Sequence, residues 1–248
     1  MMILTTTIHS KNISIIITAA GSSTRIGGGI KKEYLPYKNG TVISTCAKSF
    51  FKAIGPKYKI VHFVITTPPN AIVQSKKAVY SDSEIQSLEE QFNVKINFVE
   101  GSTTRQKSVF NGLNAIATLN NNQENTYVLI HDGARPFVSE QTILQTLEAA
   151  IQYGASVPGL TPTDTQKQIN SEGFIEKHLE RKSLVAVQTP QGFEFNKLYE
   201  AHKKSILENV EYTDDTEIWG KYCGAVKVIE GDSNNIKITY PADLKRIE

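Results

Sequence analysis

The chain has 248 residues, with 27 Lys plus Arg against 25 Asp plus Glu, a formal net charge of +2, and 40% hydrophobic and 21% charged residues. That balance excludes a mostly disordered chain, and near-neutrality without a basic run of five or more excludes a phosphate-tracking surface for nucleic acid. Cys46 and Cys223, without C-x-x-C spacing, exclude a disulfide framework and a cysteine metal site and fit a reducing, cytoplasmic setting.

Met1 to Asn12 reads as a short polar lead-in, flexible and outside the folded unit. Ile13–Ala19 follows as a nearly continuous β-branched run, the pattern of a strand buried on both faces. With Ala20 it is far too short to span a bilayer, and it runs into glycines rather than a cleavage site, so neither a membrane anchor nor a signal peptide is expected. Val42–Ile54 is predicted helical. Ile60–Thr66 is a second strand, closed by Pro68-Pro69. Lys95–Val99 is a third and Tyr127–His131 a fourth.

Between those two, Val109, Leu113 and Ile116 share one helical face, and Asn120–Asn125 reads as a polar loop. Ser139 to Tyr153 repeats the helical period with Ile143, Leu147 and Ile151, and Gly154 stands where a helix would stop. Strands alternating with helices at this spacing predict right-handed βαβ units in a mainly parallel, twisted sheet flanked by helices, an α/β fold. Ligands in such sheets bind beyond the carboxyl ends of the strands.

Thr161 to Leu184 breaks the alternation. Thr165–Ile169 and Phe174–His178 read as a hairpin around Gly173, standing off the main body. An isolated hairpin is marginal in water, so it is expected to pack on something, a second subunit being one candidate. Asn234–Thr239 is read as a last strand carrying one inward-capable lysine, with Pro241 and Asp243 starting a helix that is either short or continues in a longer chain. A single domain over residues 13–248 is expected, with no internal repeat.

The candidate chemistry falls at the strand ends. Ala19-Ala20-Gly21-Ser22-Ser23-Thr24-Arg25, then Gly27-Gly28-Gly29 and Lys31-Lys32, directly follow the first strand. A glycine-rich turn there brings backbone N–H groups onto phosphate oxygens while Arg25 and Lys32 neutralise charge. Its spacing is neither GxxxxGK[ST] nor GxGxxG, so an ATPase loop and a dinucleotide fingerprint both fit poorly. The plain alternative is a flexible loop with incidental basic residues.

His131-Asp132-Gly133-Ala134-Arg135-Pro136 ends the fourth strand. Asp132 there can reach a metal–phosphate complex or a sugar hydroxyl, or simply cap a turn. His131, with no second histidine at ligand spacing, reads as a structural histidine, and no protein-built metal cage is expected. Gly101-Ser102-Thr103-Thr104-Arg105-Gln106-Lys107-Ser108 leads into a helix, where its polar groups can be caps. Thr163-Asp164-Thr165-Gln166-Lys167, Arg181 and Gln188-Thr189-Pro190-Gln191 follow. Thr213-Asp214-Asp215 opens a helix, where acidic residues suit the dipole in any case.

Taken in order, AAGSSTR with Lys32, TTRQKSVFNGL, HDGARPF, TDTQK, QTPQGF, TDD and NIKIT resemble the 2-C-methyl-D-erythritol 4-phosphate cytidylyltransferase family of the isoprenoid-precursor pathway, from about Ile13 to Leu244. The resemblance implies a Rossmann-like nucleotidyltransferase fold and a homodimer with exchanged β-arms, the unplaced hairpin matching the arm at about 161–184. It also implies CTP and a sugar-alcohol phosphate as substrates. By matching motif, Arg25 and Lys32 would stabilise the triphosphate in the transition state. Ala19, Ala20, Gly21, Ser22 and Ser108 would line the CTP site. Asp132 would lie between nucleotide and acceptor. Arg181 and Lys237 would position the acceptor phosphate, assisted by Arg135, Thr165 and Thr213, with Arg181 and Thr165 acting in the partner's site.

The chain departs from the family pattern at Lys31, where Pro is usual, at Gly101-Ser102 in place of Gly-Gly, and at HDGARP in place of HDAARP. Gly27-Gly28-Gly29 makes the phosphate loop unusually soft. The ribitol 5-phosphate cytidylyltransferase family shares the fold, the basic residues and QTPQ. Ala19-Ala20-Gly21 and Thr213-Asp214-Asp215 favour methylerythritol phosphate over it. A non-catalytic nucleotide-binding module and a dehydrogenase are the readings from other classes.

Attack of a phosphate monoester on the α-phosphorus of CTP needs positioning and charge stabilisation more than a general base. Arg25, Lys32, Arg181 and Lys237 suit it. Mg²⁺ is expected to be held mainly by phosphate oxygens, with Asp132 the candidate protein ligand.

Overall fold

A computed structural model describes residues 11–27, 29, 31–119 and 126–247. The lead-in up to residue 10, Gly28 of the glycine run and the polar loop at 120–125 lie outside the described residues.

The strand Asn12–Thr18 (β1) puts Ile13, Ile15 and Ile17 on one face and Ile16 on the other, all fully buried. Its apolar run is therefore continuous because both faces of the sheet are covered. A glycine-rich loop and a 3-10 turn at Lys32–Tyr34 lead to a small hairpin, β2 (Pro36–Tyr37) and β3 (Gly40–Thr41), and then to α1 (Val42–Ile54). Thr41 and Ser44 cap α1 reciprocally, which fixes its start at the predicted residue. β4 (Lys59–Thr67), α2 (Ile72–Val79), α3 (Glu84–Gln91), β5 (Ile96–Glu100), α4 (Arg105–Leu119), β6 (Thr126–Asp132) and α5 (Glu140–Tyr153) complete the first half. The second half holds β7 (Ala155–Leu160), the hairpin β8 (Lys167–Ile169) and β9 (Ile175–His178), β10 (Ala186–Val187) and β11 (Gln191–Glu194). α6 (Phe195–Leu207), α7 (Asp215–Tyr222), β12 (Lys227–Glu230) and a 3-10 turn at Pro241–Arg246 follow.

The main sheet has eight strands in the order β10-β7-β11-β6-β1-β4-β5, with β12 also paired to β7. β6, β1, β4 and β5 are mutually parallel, while β10 and β11 run against their neighbours. One face packs α1 and α5 through Phe50, Phe51, Ile54, Ile143 and Leu147. The other packs α4, α6 and α7 through Val109, Leu113, Ile116, Leu198 and Trp219. Phe51 is fully buried against Phe63, and Phe51→Ala would cost about 3–5 kcal/mol.

The chain passes from β1 to β4 and β5 on one side and then returns to β6 on the other, so the strand order reverses between β1 and β6. Thr18 stands level with Thr66 on β4 and with Asp132 on β6. The loops after β1, β5 and β6 therefore open at one edge, at the crevice where parallel sheets bind ligands.

Three expectations shift. Asn234–Thr239 is not a strand: Asn234 and Asn235 N–H groups turn back onto Asp232, and only the Ile238 N–H reaches a neighbouring loop, at the Ala134 carbonyl. The hairpin is shorter than predicted, because Thr165 and Gln166 lie outside its strands. Its turn is as read, with Gly173 at φ +88 and the Asn170 side chain accepting from the Glu172 and Phe174 N–H groups. Finally, α2, α3, α6, β7, β10, β11 and β12 carried no recognised period. No helix among the described residues is long and apolar enough to cross a membrane.

Candidate active site

An open cavity of ≈ 470 Å³ lies at the strand-order reversal, walled by the loop after β1, by residues 102–105 and by Asp132, Ala134 and Lys237. Of the predicted site residues, Ala20, Gly21, Ser22, Arg25, Lys32, Ser108, Asp132 and Lys237 line it.

The glycine-rich loop is closed at its base by side chains. The Lys31 ammonium donates to the Gly21 carbonyl at 2.6 Å and pairs with Glu33 at 2.7 Å. Glu33 also accepts from the Ser23 hydroxyl at 3.3 Å. Ser23 itself sits at φ +56, a left-handed conformation that costs a non-glycine residue energy and is held here by those contacts. Gly101 allows the loops after β1 and β5 to touch, since a Cβ there would stand 2.3 Å from that of Ala20 and 2.8 Å from the Ser108 hydroxyl. Ser108 braces the same turn, accepting from the Ser102 N–H at 2.9 Å and donating to the Thr104 carbonyl at 2.8 Å.

Lys32 is buried and donates to the Ile238 carbonyl at 2.7 Å. Burial pushes its pKa down, Glu33 and Asp132 resist, and Lys237 and Arg25 add to the depression. Arg25 lies exposed over the Tyr240 ring. Asp132 is the hub. Its Oδ2 meets the Lys237 ammonium at 2.9 Å and Arg135 Nε at 3.4 Å, and its Oδ1 faces Arg105 Nε at 3.6 Å. Burial alone would raise this carboxyl, but Lys237, Arg105 and Arg135 together hold it well below the usual carboxylate range.

Its neighbour His131 is fully buried, with Nε2 3.2 Å from the Arg135 carbonyl and Nδ1 3.0 Å from the Thr189 hydroxyl. Thr189 in turn accepts from the Asp132 N–H at 3.1 Å. The pattern assigns a neutral ring with its proton on Nε2, and burial pushes its pKa down to about 4. His131 is thus a structural pin for the strand end.

Five predicted residues do not line this cavity. Ala19 is buried and closes β1 onto β4 through its N–H, bonded to the Thr66 carbonyl at 3.0 Å. Arg135 supports from behind, bonded to Asp132 and to the Asn235 carbonyl. Thr213 is exposed and bonded to Glu217. Thr165 and Arg181 are exposed beside the hairpin, with Arg181 Nη1 donating to the Thr163 carbonyl at 2.7 Å.

Conversely, Arg105 lines the cavity without having been singled out. Its Nη1 meets Asp215 Oδ2 at 2.7 Å, and Asp215 is fully buried and also bonded to His202 at 3.0 Å. Burial would lower the guanidinium pKa, but Asp215 and then Asp132 raise it. Breaking such a pair by removing one partner costs about 3–5 kcal/mol. A signal was present in the sequence: a cation in the first turn of a helix opposes the dipole unless carboxylates hold it.

Among the described residues no group of three or more His, Cys, Asp or Glu side chains is placed to hold a metal. Of the carboxylates lining the cavity, Glu33 is committed to Lys31 and Ser23, and Asp132 is surrounded by cations. A divalent ion carried in on phosphate oxygens would find Asp132 as its candidate protein ligand.

A mixed sheet whose parallel central strands open at their order reversal onto a lysine- and arginine-lined cavity places this molecule among the Rossmann-like nucleotidyltransferases. Sequence comparison then narrows the class: the family model for 2-C-methyl-D-erythritol 4-phosphate cytidylyltransferase matches residues 13–248, and the chain belongs to that family. A relative of that name from Clostridium novyi is 36% identical over 235 residues, covering 95% of this chain and 94% of its own. The crystal structure of 4-diphosphocytidyl-2C-methyl-D-erythritol synthase from Anaerococcus prevotii aligns with TM-score 0.74 at 28% identity, over 96% of this chain and 94% of that one. The 2-C-methyl-D-erythritol 4-phosphate cytidylyltransferase from Thermus thermophilus aligns with TM-score 0.70 at 30% identity, over 96% and 97%.

Proposed function

We infer that this chain is an enzyme that transfers the cytidylyl group of CTP to 2-C-methyl-D-erythritol 4-phosphate, giving 4-diphosphocytidyl-2-C-methyl-D-erythritol and pyrophosphate. The observation that carries the reading beyond family membership is the single cavity that joins Arg25 and Lys32 on the phosphate loop to Asp132 and Lys237. The acceptor's phosphate has a second pKa near ~6, so it is mostly dianionic at neutral pH and needs no strong base. What the reaction needs is charge stabilisation for a dianion approaching a polyanion, in a site that is already ordered.

In this reading Arg25 and Lys32 hold the triphosphate and stabilise the charge that develops on pyrophosphate. Ala20, Gly21, Ser22 and Ser108 flank the nucleotide, with Ala19 fixing the loop's origin. Lys237 exchanges part of its pairing with Asp132 for the acceptor phosphate, and Arg135 keeps Asp132 in place behind it. Asp132 would be the protein carboxylate helping to hold a Mg²⁺ bound mainly through the nucleotide phosphates, an ion that would supply charge neutralisation for the transfer.

The same reading treats 13–248 as one cytidylyltransferase domain, works in the cytoplasm, and makes the enzyme a homodimer through the arm at 161–184. In support, Ile169, Phe174 and Ile175 are 60%, 68% and 57% exposed, an apolar surface that an isolated hairpin does not tolerate well. Arg181 and Thr165 belong to that arm without lining their own cavity, and are assigned to the partner's acceptor site, while Thr213 assists the acceptor phosphate.

The test is pyrophosphate release from CTP and Mg²⁺, run with methylerythritol 4-phosphate, with ribitol 5-phosphate and without acceptor. Release with methylerythritol phosphate alone is expected. Release with ribitol phosphate alone would keep the mechanism and overturn the acceptor, and no release from a folded dimer would overturn both.

A further inference from the structure

One half-buried cation in the cavity wall has no task in this reaction scheme. Arg105 occupies the first position of α4, against the helix dipole. It is nevertheless held there firmly: Asp215, itself fully buried and bonded to His202, takes Nη1. The next residue bolts the helix start in place, as the Gln106 side chain bonds the Ser205 hydroxyl at 2.9 Å and the Tyr212 N–H at 2.8 Å. The guanidinium is thus fixed from behind by α6 and α7.

From that anchorage Nε faces Asp132 Oδ1 at 3.6 Å, whereas Lys237 and Arg135 both address Oδ2. Nη2 is buried with no hydrogen-bond partner among the described residues. Most buried side-chain polar atoms have a partner, so an unpartnered one calls for an explanation. This one gives one nitrogen to its anchor, aims another at the hub carboxylate and keeps the third unspent.

We propose that Arg105 is a positioning residue for the transfer: anchored by Asp215, it restrains the second oxygen of Asp132 and thereby sets where the Lys237 ammonium stands. With both other cations on Oδ2, a carboxylate lacking Arg105 keeps only the uncharged Thr18 hydroxyl on Oδ1, at 3.5 Å, a restraint too weak to stop it turning about its Cβ–Cγ bond and carrying Lys237 with it. The role rests on the reaction assigned above. A misplacement of about 1 Å at a reacting group can cost on the order of 10²-fold in rate.

The experiment removes both charges of the buried pair at once. Arg105→Gln combined with Asp215→Asn leaves neither partner of the pair stranded, and is compared with the wild type. The expected result is similar melting temperatures, a kcat lower by about 10²-fold in the double variant, a raised KM for the acceptor and a nearly unchanged KM for CTP. Arg105→Lys keeps the charge but not the planar fork that faces two carboxylates, and is expected to recover little of the loss.

A double variant as active as the wild type would reduce Arg105 to the structural mate of Asp215 and overturn the proposal. If the double variant fails to fold, Arg105→Lys decides, since full turnover overturns the role equally. Wild-type enzyme is assayed alongside. If it releases no pyrophosphate the assigned reaction fails, and the positioning role is then read from a crystal structure of Arg105→Lys. There, an Asp132–Lys237 contact still at 2.9 Å overturns it and a displaced Lys237 supports it.

Discussion

In the cleft, Lys32 and Asp132 are each 7% exposed and take partners from distant parts of the chain: the Ile238 carbonyl for one, and Arg105 and Lys237, beside the nearby Arg135, for the other. In the β8–β9 hairpin every strand residue is exposed, and the polar contacts are made within the hairpin, as between Gln168 and Glu176. Both regions carry cations and apolar groups. What differs is whether one chain can satisfy them. The cleft is complete in its ordering because three loops converge at one sheet edge, whereas the hairpin presents Ile169, Phe174 and Ile175 to solvent, and Arg181 beside it donates to the Thr163 carbonyl.

Loss of the cleft's buried lysine should have the largest effect. Lys32→Ala is expected to lower turnover by about 10²–10³-fold while the chain stays folded, by analogy with removal of one transition-state donor. Steady-state pyrophosphate assays beside circular dichroism would check it, and near-wild-type turnover would sink the assignment.

The next experiment sets cleft against hairpin directly. Lys32→Ala and Arg181→Ala chains, each inactive alone, are mixed under conditions that exchange subunits. Statistical re-pairing leaves half the dimers mixed with one intact site in each, so about a quarter of wild-type turnover should return. No recovery despite proven exchange would put Arg181 in its own subunit's site.

A smaller effect is expected from His131 under the cleft floor. Its folded pKa of about 4 lies below the ordinary value of about 6.5, so the unfolded chain binds the extra proton between those limits. The contribution is fully present above pH ~6.5 and is lost as pH falls towards ~4, on the order of 3 kcal/mol in all. Urea midpoints measured from pH 7 to 5 should fall, and His131→Asn should flatten the slope. An unchanged slope would remove His131 as its source.

The hairpin should respond least in fold and most in assembly. Phe174→Asp is expected to shift sedimentation towards monomer at low concentration while leaving the monomer's far-ultraviolet spectrum unaltered. A dimer as tight as wild type would show that the arm is not the interface.

Much of this was legible in the residues because the physics concerned is local. The run Ile13–Thr18 reads as a doubly covered strand because its apolar positions are consecutive, and α1, α4 and α5 announce themselves by period and by Ser139 and Gly154 at the ends of α5. β7, β11 and β12 escaped notice because short strands in the second half take their pairing from neighbours far away in the chain. Asn234–Thr239 misled for a related reason. Its alternation is strand-like, but the Asp232 and Asn235 side chains bond the backbone and the Thr189 loop instead of a ladder.

Residue types, order and spacing alone determined the α/β class, the glycine-rich loop with Arg25 and Lys32, the strand-end Asp132 and the odd hairpin, because helix period, strand burial and glycine turns are written over a few residues. Only the tertiary structure decided that Arg105, Asp132, Arg135 and Lys237 form one charge cluster, that Arg135 stands behind the cavity rather than in it, and that Thr165 and Arg181 point away from it. Those facts depend on which loops a sheet edge brings within a few ångströms. Coulomb interactions at such range do not follow from positions separated by up to a hundred residues of chain.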